Sequence, residues 1–284
     1  MLIADAQVHI WCPNTPERPW REGVAPPGRM SLEADELLRE MDSVGVQRTV
    51  LVPSTVDADR NDLVLAAAQR YPDRFAAMGR LNLEAPGARE QIATWRRQTG
   101  MLGLRFAFQR PWLTPLLTEG RVNWLWEEAE KGGVPIMVYV SHAMVPLIDQ
   151  VAERHPGLKL VLDHLALPSG KKDEEAFRDF DKLLTIARCP NVAVKASALP
   201  VYTNDSYPYR RIHPHVRRVY DAFGPKRVFW GSDLSRLKCT YRQCITMFTE
   251  EMPWLPADDL DWIMGRGLCE WLGWKLPPAE AAAS

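Results

Sequence analysis

Reactive side chains follow several hydrophobic segments of this sequence, each of which has the character of a buried β-strand. The first segment carries Asp5, Gln7 and His9 in alternation with apolar residues. Later segments end in His142, in Asp163-His164 and in Asp233. Imidazole and carboxylate groups are the common general acids and bases of enzymes and common ligands of zinc. The pattern therefore indicates acid–base or metal-assisted chemistry, provided that the fold brings these segment ends together.

Eight strand-like segments alternate with segments of helical periodicity along the chain. Such alternation predicts a parallel sheet with right-handed crossovers, and eight strands favour closure into an α/β (β/α)₈ TIM barrel over an open sheet. The length of 284 residues is close to the roughly 250 of one such barrel, so we expect a single barrel over residues 1–275. The predicted strands are Leu2–Trp11, Val46–Pro53, Arg74–Leu83, Met101–Phe108, Val134–Ser141, Leu158–Ala166, Asn191–Ser197 and Arg227–Asp233.

The ends of two helices can also be predicted. Ser31 is expected to cap the first helix and Gly45 to end it, because a side-chain oxygen favours the N-cap and glycine the left-handed C-terminal position. A final helix around Asp258–Leu272 is expected to cover one end of the barrel. The residues that follow, 276–284, are rich in proline and alanine, and we expect them to be disordered.

The first strand suggests where the chemistry lies. Alternation places Asp5, Gln7 and His9 on one face of the strand, opposite a row of small and aliphatic side chains. If the apolar row packs against helices, the polar row points into the barrel. A buried polar row is costly unless its members are paired, and proteins accept that cost mostly at functional sites. The competing interpretation is an edge strand with a solvated face.

Four motifs in this order resemble those of the amidohydrolase-related proteins, and the resemblance covers nearly the whole chain. They are Asp5-Ala-Gln-Val-His9-Ile-Trp, Val161-Leu-Asp-His164-Leu, Asn191-Val-Ala-Val-Lys-Ala-Ser197 and Phe229-Trp-Gly-Ser-Asp233. The branch that the motifs resemble most contains 2-pyrone-4,6-dicarboxylate lactonase and the sugar lactonases. The resemblance implies a TIM-barrel hydrolase whose site lies at the C-terminal ends of the strands.

The chain departs from the metal-binding pattern that this resemblance implies. The family pattern is His-x-His on strand one, one His each on strands five and six, and Asp on strand eight. Gln7 stands at the first His position and Tyr139 at the strand-five position. His9, His164 and Asp233 remain as ligands for zinc or manganese, with a shifted His142 as a fourth candidate. An amide oxygen is a weak ligand for these ions, so we expect no required cofactor, with zinc or manganese as the alternative.

The expected reaction follows from this departure. Without a metal, water with a pKa of about 15.7 is a poor nucleophile and can attack only an activated carbonyl. We therefore expect hydrolysis of a lactone or related activated ester, with Asp233 as the general base. His9 and His164 are expected to support the water and the developing oxyanion, and Gln7 to donate its amide N–H.

Cationic and polar side chains near the strand ends indicate a small anionic, carboxylated substrate. Arginine binds a carboxylate through two parallel hydrogen bonds. Each cationic residue, taken alone, is more typical of a surface charge or a salt-bridge partner. The substrate-binding candidates are Gln7, Ser54, Arg105, Tyr139, Lys195, Arg210, Arg211 and Arg236.

Three further functions are compatible with the sequence. A metal-dependent hydrolase of amides would use the same scaffold, as would a non-oxidative decarboxylase, since related barrels carry out that chemistry with zinc or manganese. The third is a binding protein that has lost catalysis. The retention of His9, His164 and Asp233 weighs against it.

Composition excludes several classes of partner. The net charge of −1 provides no field that would attract nucleic acid or an anionic membrane, and no segment approaches the ~20 apolar residues needed to span a bilayer. The five cysteines are scattered, which is typical of reduced thiols. We therefore expect a cytoplasmic enzyme, and the sequence is compatible with a homo-oligomer.

Overall fold

The computed structural model describes residues 1–25 and 28–276, and its centre is a barrel of eight parallel strands. The strands are hydrogen-bonded in chain order from β1 to β8. The predicted (β/α)₈ fold is confirmed, although the strands are shorter than predicted. Most of the predicted disordered tail, residues 277–284, lies outside the described residues. The strands are β1 Ala4–Ile10, β2 Arg48–Pro53, β3 Phe75–Gly79, β4 Met101–Phe106, β5 Ile136–Val138, β6 Leu160–Leu162, β7 Val192–Ser197 and β8 Val228–Gly231.

Helices connect the strands and surround the barrel. In the described ranges, none is long and apolar enough to cross a membrane. Gly45 ends the first helix in the left-handed conformation, as predicted, but Ser31 does not cap it, because the cap position falls on Glu33. The helices are α1 Ala34–Val44, α2 Asp62–Arg70, α3 Ala88–Ile92, α4 Thr114–Thr118, α5 Asn123–Lys131, α6 Val145–Arg154, α7 Asp173–Phe177, α8 Asp181–Thr185, α9 His213–Phe223, α10 Tyr241–Thr249, α11 Ala257–Asp261 and α12 Gly267–Leu272.

The last helical segment closes the N-terminal end of the barrel. One π-helical turn, Trp262–Arg266, joins α11 to α12, so the segment agrees with the predicted final helix. Leu268, Cys269 and Leu272 pack with side chains that fill the lower barrel interior, among them Val50, Met78, Met137, Val161 and Phe229. This end is therefore sealed, and the C-terminal ends of the strands form the accessible end.

An irregularity in β1 changes which residues face the interior. The pairing of β1 with β2 shifts between Asp5 and Val8, so β1 contains one extra residue at this point, as in a β-bulge. The small side chains of Ala4 and Ala6 belong to the interior cluster, whereas the Asp5 carboxylate accepts a hydrogen bond from Tyr241 on α10. The prediction that Asp5 shares a face with Gln7 and His9 is wrong, because strict alternation fails at the bulge.

The junction between β8 and β1 uses a side chain as well as the backbone. The backbone N–H of Asp233 donates to the carbonyl of Gln7 at 3.0 Å. The N–H of Ser232 donates to the Asp5 carboxylate at 2.9 Å, and the Ser232 hydroxyl also donates to Asp5. The first and last strands are thus joined directly beside Gln7 and Asp233.

Candidate active site

Three predicted side chains meet at the C-terminal end of the barrel. Asp233 Oδ1 lies 3.3 Å from His9 Nε2, and Asp233 Oδ2 lies 3.5 Å from His164 Nε2. Asp233 and His164 are fully buried, and both have a left-handed backbone with φ of 51° and 52°. Such conformations cost about 1–3 kcal/mol in residues other than glycine and occur mainly at functional sites. We call His9, His164 and Asp233 the strand-end triad.

The orientation of the His9 ring is fixed from outside the triad. His9 Nδ1 lies 2.9 Å from the carbonyl oxygen of Val52. A carbonyl can only accept, so Nδ1 carries the hydrogen. The Nε2 atom of His9 therefore faces Asp233 and the amide of Gln7, whose Nε2 lies 3.3 Å away. Both contacts hold the ring against the carboxylate of Asp233.

His164 is held in a similar way. Its Nδ1 lies 2.7 Å from Ser197 Oγ, and the edge of its ring packs against Tyr139, with centroids 5.0 Å apart. Burial lowers the pKa of His164 to about 3, against the opposing charges of Asp233 and Asp163. The ring is therefore neutral at physiological pH.

Asp233 remains ionised. Burial raises the pKa of this carboxyl, but the interactions with His9, His164 and Arg236 outweigh burial and hold the pKa well below its ordinary value. Arg236 Nη1 donates to Asp233 Oδ2 at 3.3 Å. Within the described part of the chain, His164 Nε2 and Asp233 Oδ1 have no hydrogen-bond partner. The triad thus presents an ionised carboxylate and a neutral imidazole with unused hydrogen-bonding capacity.

A buried ion network lies directly beneath the triad. Lys195 Nζ lies 2.6 Å from Asp163 Oδ1 and donates to Gln7 Oε1 at 2.5 Å. Arg105 Nε donates to the second Asp163 oxygen at 2.8 Å. Burial would raise the pKa of Asp163, but Lys195 and Arg105 lower it to about 2. Because Lys195 occupies the Gln7 oxygen, the Gln7 amide N–H faces the triad.

Two tyrosines line the site beside His164. The hydroxyls of Tyr139 and Tyr202 lie 3.1 Å apart, and the Arg236 guanidinium lies 5.8 Å from the centre of the Tyr202 ring. Burial and the neighbouring Tyr139 raise the pKa of Tyr202 well above its ordinary value. The Tyr202 phenol therefore stays protonated and can donate a hydrogen bond.

Several predicted site residues lie elsewhere. His142 donates to the carbonyl of Leu165 and packs against Phe180, outside the triad. The side chains of Arg210 and Arg211 are 73% and 71% exposed and pair with Glu251 and Asp173. Lys195 is fully buried beneath the triad, as part of the ion network. The structure therefore does not bring these four side chains to the triad as substrate or metal contacts.

The remaining candidates lie at strand ends around the barrel. Ser54 is buried and directly follows β2. Tyr139 contacts His164 and Arg236 contacts Asp233, whereas Arg105 contacts Asp163 in the ion network.

Sequence reasoning missed two residues that support the site. Asp163 anchors the ion network, and Ser197 orients His164. Both lie within motifs that resembled the family, and the pairing rule for buried charges indicates a partner for Lys195. Their partners come from different strands, however, so only the assembled barrel identifies them.

The side chains do not fit the metal pattern that the sequence suggested. The Gln7 oxygen, which would replace the missing histidine as a ligand, accepts from the Lys195 ammonium, and Tyr139 directs its hydroxyl to Tyr202. Across residues 1–25 and 28–276, no three His, Cys, Asp or Glu side chains form a group suited to a metal ion. A positive ammonium beside the triad also opposes a second cation. We therefore derive no step through a metal.

The fold and the site together define a TIM-barrel enzyme with a carboxylate and two imidazoles at the strand ends. The family model described as Amidohydrolase matches residues 4–282. The chain belongs to the amidohydrolase family, and the prediction of a hydrolase is confirmed.

Three known proteins show what the chain resembles. L-fucono-1,5-lactonase of Burkholderia ambifaria is 29% identical over 251 residues, which cover 82% of this chain and 81% of that protein. An amidohydrolase from Burkholderia multivorans with bound zinc has a TM-score of 0.81 at 23% identity, covering 98% and 100% of the two chains. A probable 2-pyrone-4,6-dicarboxylic acid hydrolase from Acinetobacter baumannii with citric acid bound has a TM-score of 0.75 at 15% identity, covering 96% and 100%. At these identities the two solved structures show the fold alone.

Proposed function

We propose that this protein hydrolyses a lactone or a related activated ester of a small acid, with Asp233 as the general base and without a required metal ion. The observation that carries the proposal is the convergence of Asp233, His9 and His164, with atoms of the triad 3.3 and 3.5 Å apart. The similarity to an L-fucono-1,5-lactonase supports a lactone as the substrate class.

The first step is attack by water on the ester carbonyl. A water molecule can donate one O–H to Asp233 and form a second hydrogen bond with His164 Nε2, because both groups have unused hydrogen-bonding capacity. As the oxygen bonds to the carbonyl carbon, its proton moves to Asp233, which is ionised and needs no prior deprotonation. His9 Nε2 lies 3.3 Å from Asp233 Oδ1 and is within reach of this proton.

The tetrahedral intermediate carries a negative charge on the former carbonyl oxygen. Gln7 can donate its amide N–H to this oxyanion, since Lys195 fixes the direction of the amide. The Tyr139 phenol provides a further donor. Preorganised donors in a dry site are among the strongest sources of transition-state stabilisation.

The second step breaks the ring. The intermediate collapses, the bond between the carbonyl carbon and the ring oxygen breaks, and the proton held by Asp233 moves to the leaving oxygen. The product is an open-chain hydroxy acid, and Asp233 returns to its ionised form. Water supplies both the hydroxyl of the new carboxyl group and the proton of the new alcohol.

The low pKa of Asp233 limits the substrate. A carboxylate whose pKa lies well below its ordinary value is a weak base, and it can assist water only where the carbonyl is already reactive. A strained or activated ester meets this condition, whereas an ordinary amide does not. This argument favours a lactone over an amide as the substrate.

A decarboxylase and a binding protein fit the site less well. The decarboxylase chemistry of related barrels uses zinc or manganese, and the donor set here lacks two of the pattern's histidines. A binding protein has no need of a strained left-handed backbone at both His164 and Asp233.

The test is the hydrolysis of a panel of sugar and aromatic lactones, with acid release followed by a pH indicator. We expect Asp233→Asn to lower kcat by about two orders of magnitude or more, which is the usual scale of general-base catalysis. The amide is isosteric with the carboxylate but cannot accept the proton.

The matched control is Asp221→Asn, which changes an exposed carboxylate on α9 that pairs with Arg217. This variant should retain full activity. Near-normal turnover by Asp233→Asn, with a thermal stability like that of the wild type, would contradict the role of Asp233. Release of carbon dioxide instead of acid would identify a decarboxylase.

A further inference from the structure

A cavity of about 220 Å³ at the accessible end of the barrel is lined by four arginines. Arg80 directly follows β3, Arg105 lies in β4, and Arg21 and Arg110 lie in the loops after β1 and β4. We call this space the arginine cavity. It is formed by residues that follow β1 to β4, so it lies across the barrel mouth from His164 and Asp233.

The arginine cavity contains excess positive charge. Arg105 shares the carboxylate of Asp163 with Lys195, whereas Arg21, Arg80 and Arg110 form no ion pair with a carboxylate in the described ranges. Two carboxylates also line the cavity, but Glu84 pairs with Arg121 and Asp59 is exposed. Three guanidinium groups thus face at most one free carboxylate.

Arg80 is held in place by neutral groups. Its guanidinium donates to the carbonyl of Ala58 and the hydroxyl of Thr55, each at 3.3 Å. Burial, together with the neighbouring charges of Arg105 and Arg110, lowers the pKa of Arg80 to about 9. Burying like charges together costs free energy, and a bound anion would recover that cost.

Trp112 forms a wall at the mouth of the arginine cavity. The Arg21 guanidinium lies 4.6 Å from the centre of the indole ring, and that of Arg110 lies 5.9 Å from it. The Trp112 side chain is 41% exposed, which is unusual for so large an apolar group. The mouth therefore combines two fixed cations with a flat apolar surface.

We propose that the arginine cavity binds an anionic group of the substrate, a carboxylate or a phosphate, at the end distant from the reacting carbonyl. This inference rests on the proposed lactone hydrolysis and names its substrate class. Guanidinium groups match the geometry of both oxyanions and bind them through paired hydrogen bonds. The subsite lies at Arg21, Arg80 and Arg110, not at the Arg210 and Arg211 that the sequence suggested.

The first experiment compares matched lactones. One is a neutral sugar lactone, the second carries a carboxylate in place of the terminal hydroxymethyl group, and the third carries a phosphate ester there. We expect the wild type to prefer one charged lactone by about tenfold or more in kcat/KM, the scale of a hydrogen-bonded ion pair. Arg80→Met should remove this preference by raising KM for the charged lactone. Arg110→Met should weaken the preference, and because Arg110 lies at the exposed mouth its replacement should not impair folding.

The control is Arg89→Met, which removes an exposed arginine that pairs with Glu128 and does not line the cavity. It should leave the preference unchanged. Equal kcat/KM of the wild type for charged and neutral lactones would overturn the proposal. The better of the carboxylated and phosphorylated lactones identifies the anion.

The second experiment separates the subsite from the reaction. Binding of malonate and of inorganic phosphate is measured by calorimetry with the wild type and Arg80→Met, and we expect binding that is lost in the variant. If the wild type hydrolyses no lactone but binds either anion through Arg80, the proposed reaction is wrong and the subsite stands. If the wild type hydrolyses lactones without charge preference and both proteins bind the anions equally, the proposed reaction stands and the subsite is wrong.

Discussion

Asp5 shows how one buried side chain can support a site that it does not enter. Its carboxylate accepts from the backbone N–H groups of Gln7 and Ser232, and from the hydroxyls of Ser232 and Tyr241. These bonds connect the bulge of β1 to the end of β8, immediately before Asp233. Asp5 therefore acts on the strand-end triad through the backbone.

The ionisation of Asp5 predicts a pH dependence of stability. Burial raises its pKa from 3.8 to about 6, although the hydrogen bonds from Ser232, Gln7 and Tyr241 oppose this change. Between these two values the folded state binds more protons than the unfolded state, so stability falls as pH rises. The loss amounts to about 3 kcal/mol at 1.36 kcal/mol per pKa unit.

Asp5→Asn, which imitates the protonated acid, should remove this loss. Urea unfolding of the wild type and the variant between pH 4 and pH 7 measures the difference, and the remaining carboxylates cancel in the comparison. We expect the free energy of unfolding of the variant, relative to that of the wild type, to increase as pH rises. A difference that is constant with pH would show that Asp5 does not titrate in this window.

At the scale of elements, β1 and the last helical segment together determine which β1 side chains lie inside the barrel and which face its mouth. The bulge of β1 lets Ala4 and Ala6 pack inside the barrel while Gln7 and His9 face its mouth. The π-helical turn Trp262–Arg266 packs on the start of β1 through Gly265. A Cβ at Gly265 would lie 2.7 Å from the carbonyl oxygen of Leu2 and 2.9 Å from the nitrogen of Ala4.

Gly265→Ala should therefore destabilise the protein. The clash is with backbone, which cannot move as a flexible side chain does, and overpacking of this kind costs about 1–3 kcal/mol. Denaturant unfolding measures the loss. Gly157→Ala is the matched control, because the nearest atoms to its added Cβ belong to the Glu130 side chain and not to backbone. Equal stability of the two variants would show that the last helical segment does not pack this closely.

At the scale of the whole molecule, positive and negative charges are distributed unevenly, although the net charge is only −1. The ion network places two cations, Lys195 and Arg105, against the single carboxylate of Asp163 inside the barrel, and the arginine cavity keeps its positive charge at the mouth. A low net charge thus conceals a local field that would attract an anionic substrate. The expected homo-oligomer and cytoplasmic location remain predictions.

The donor set predicts that the protein works without a metal ion. Elemental analysis of the purified protein should find far less than one zinc or manganese per chain, and dialysis against a chelator should leave lactone hydrolysis unchanged. The Burkholderia multivorans amidohydrolase with bound zinc serves as the positive control for the analysis. Activity that disappears on chelation and returns with zinc would assign a metal to the triad.

The sequence by itself determined the barrel, because the order of strands and helices follows from local periodicity and from the handedness of parallel crossovers. It also placed His9, His164 and Asp233 at strand ends, where the same end of a parallel barrel must collect them. The sequence did not determine the directions of these side chains or their pairing. One extra residue in β1 moved Asp5 out of the barrel, and Lys195, expected to bind substrate, pairs with Asp163 from a neighbouring strand. The arginine cavity likewise combines loops that are distant in the chain, and only tertiary structure brings such residues within the few ångströms over which hydrogen bonds and unscreened charges act.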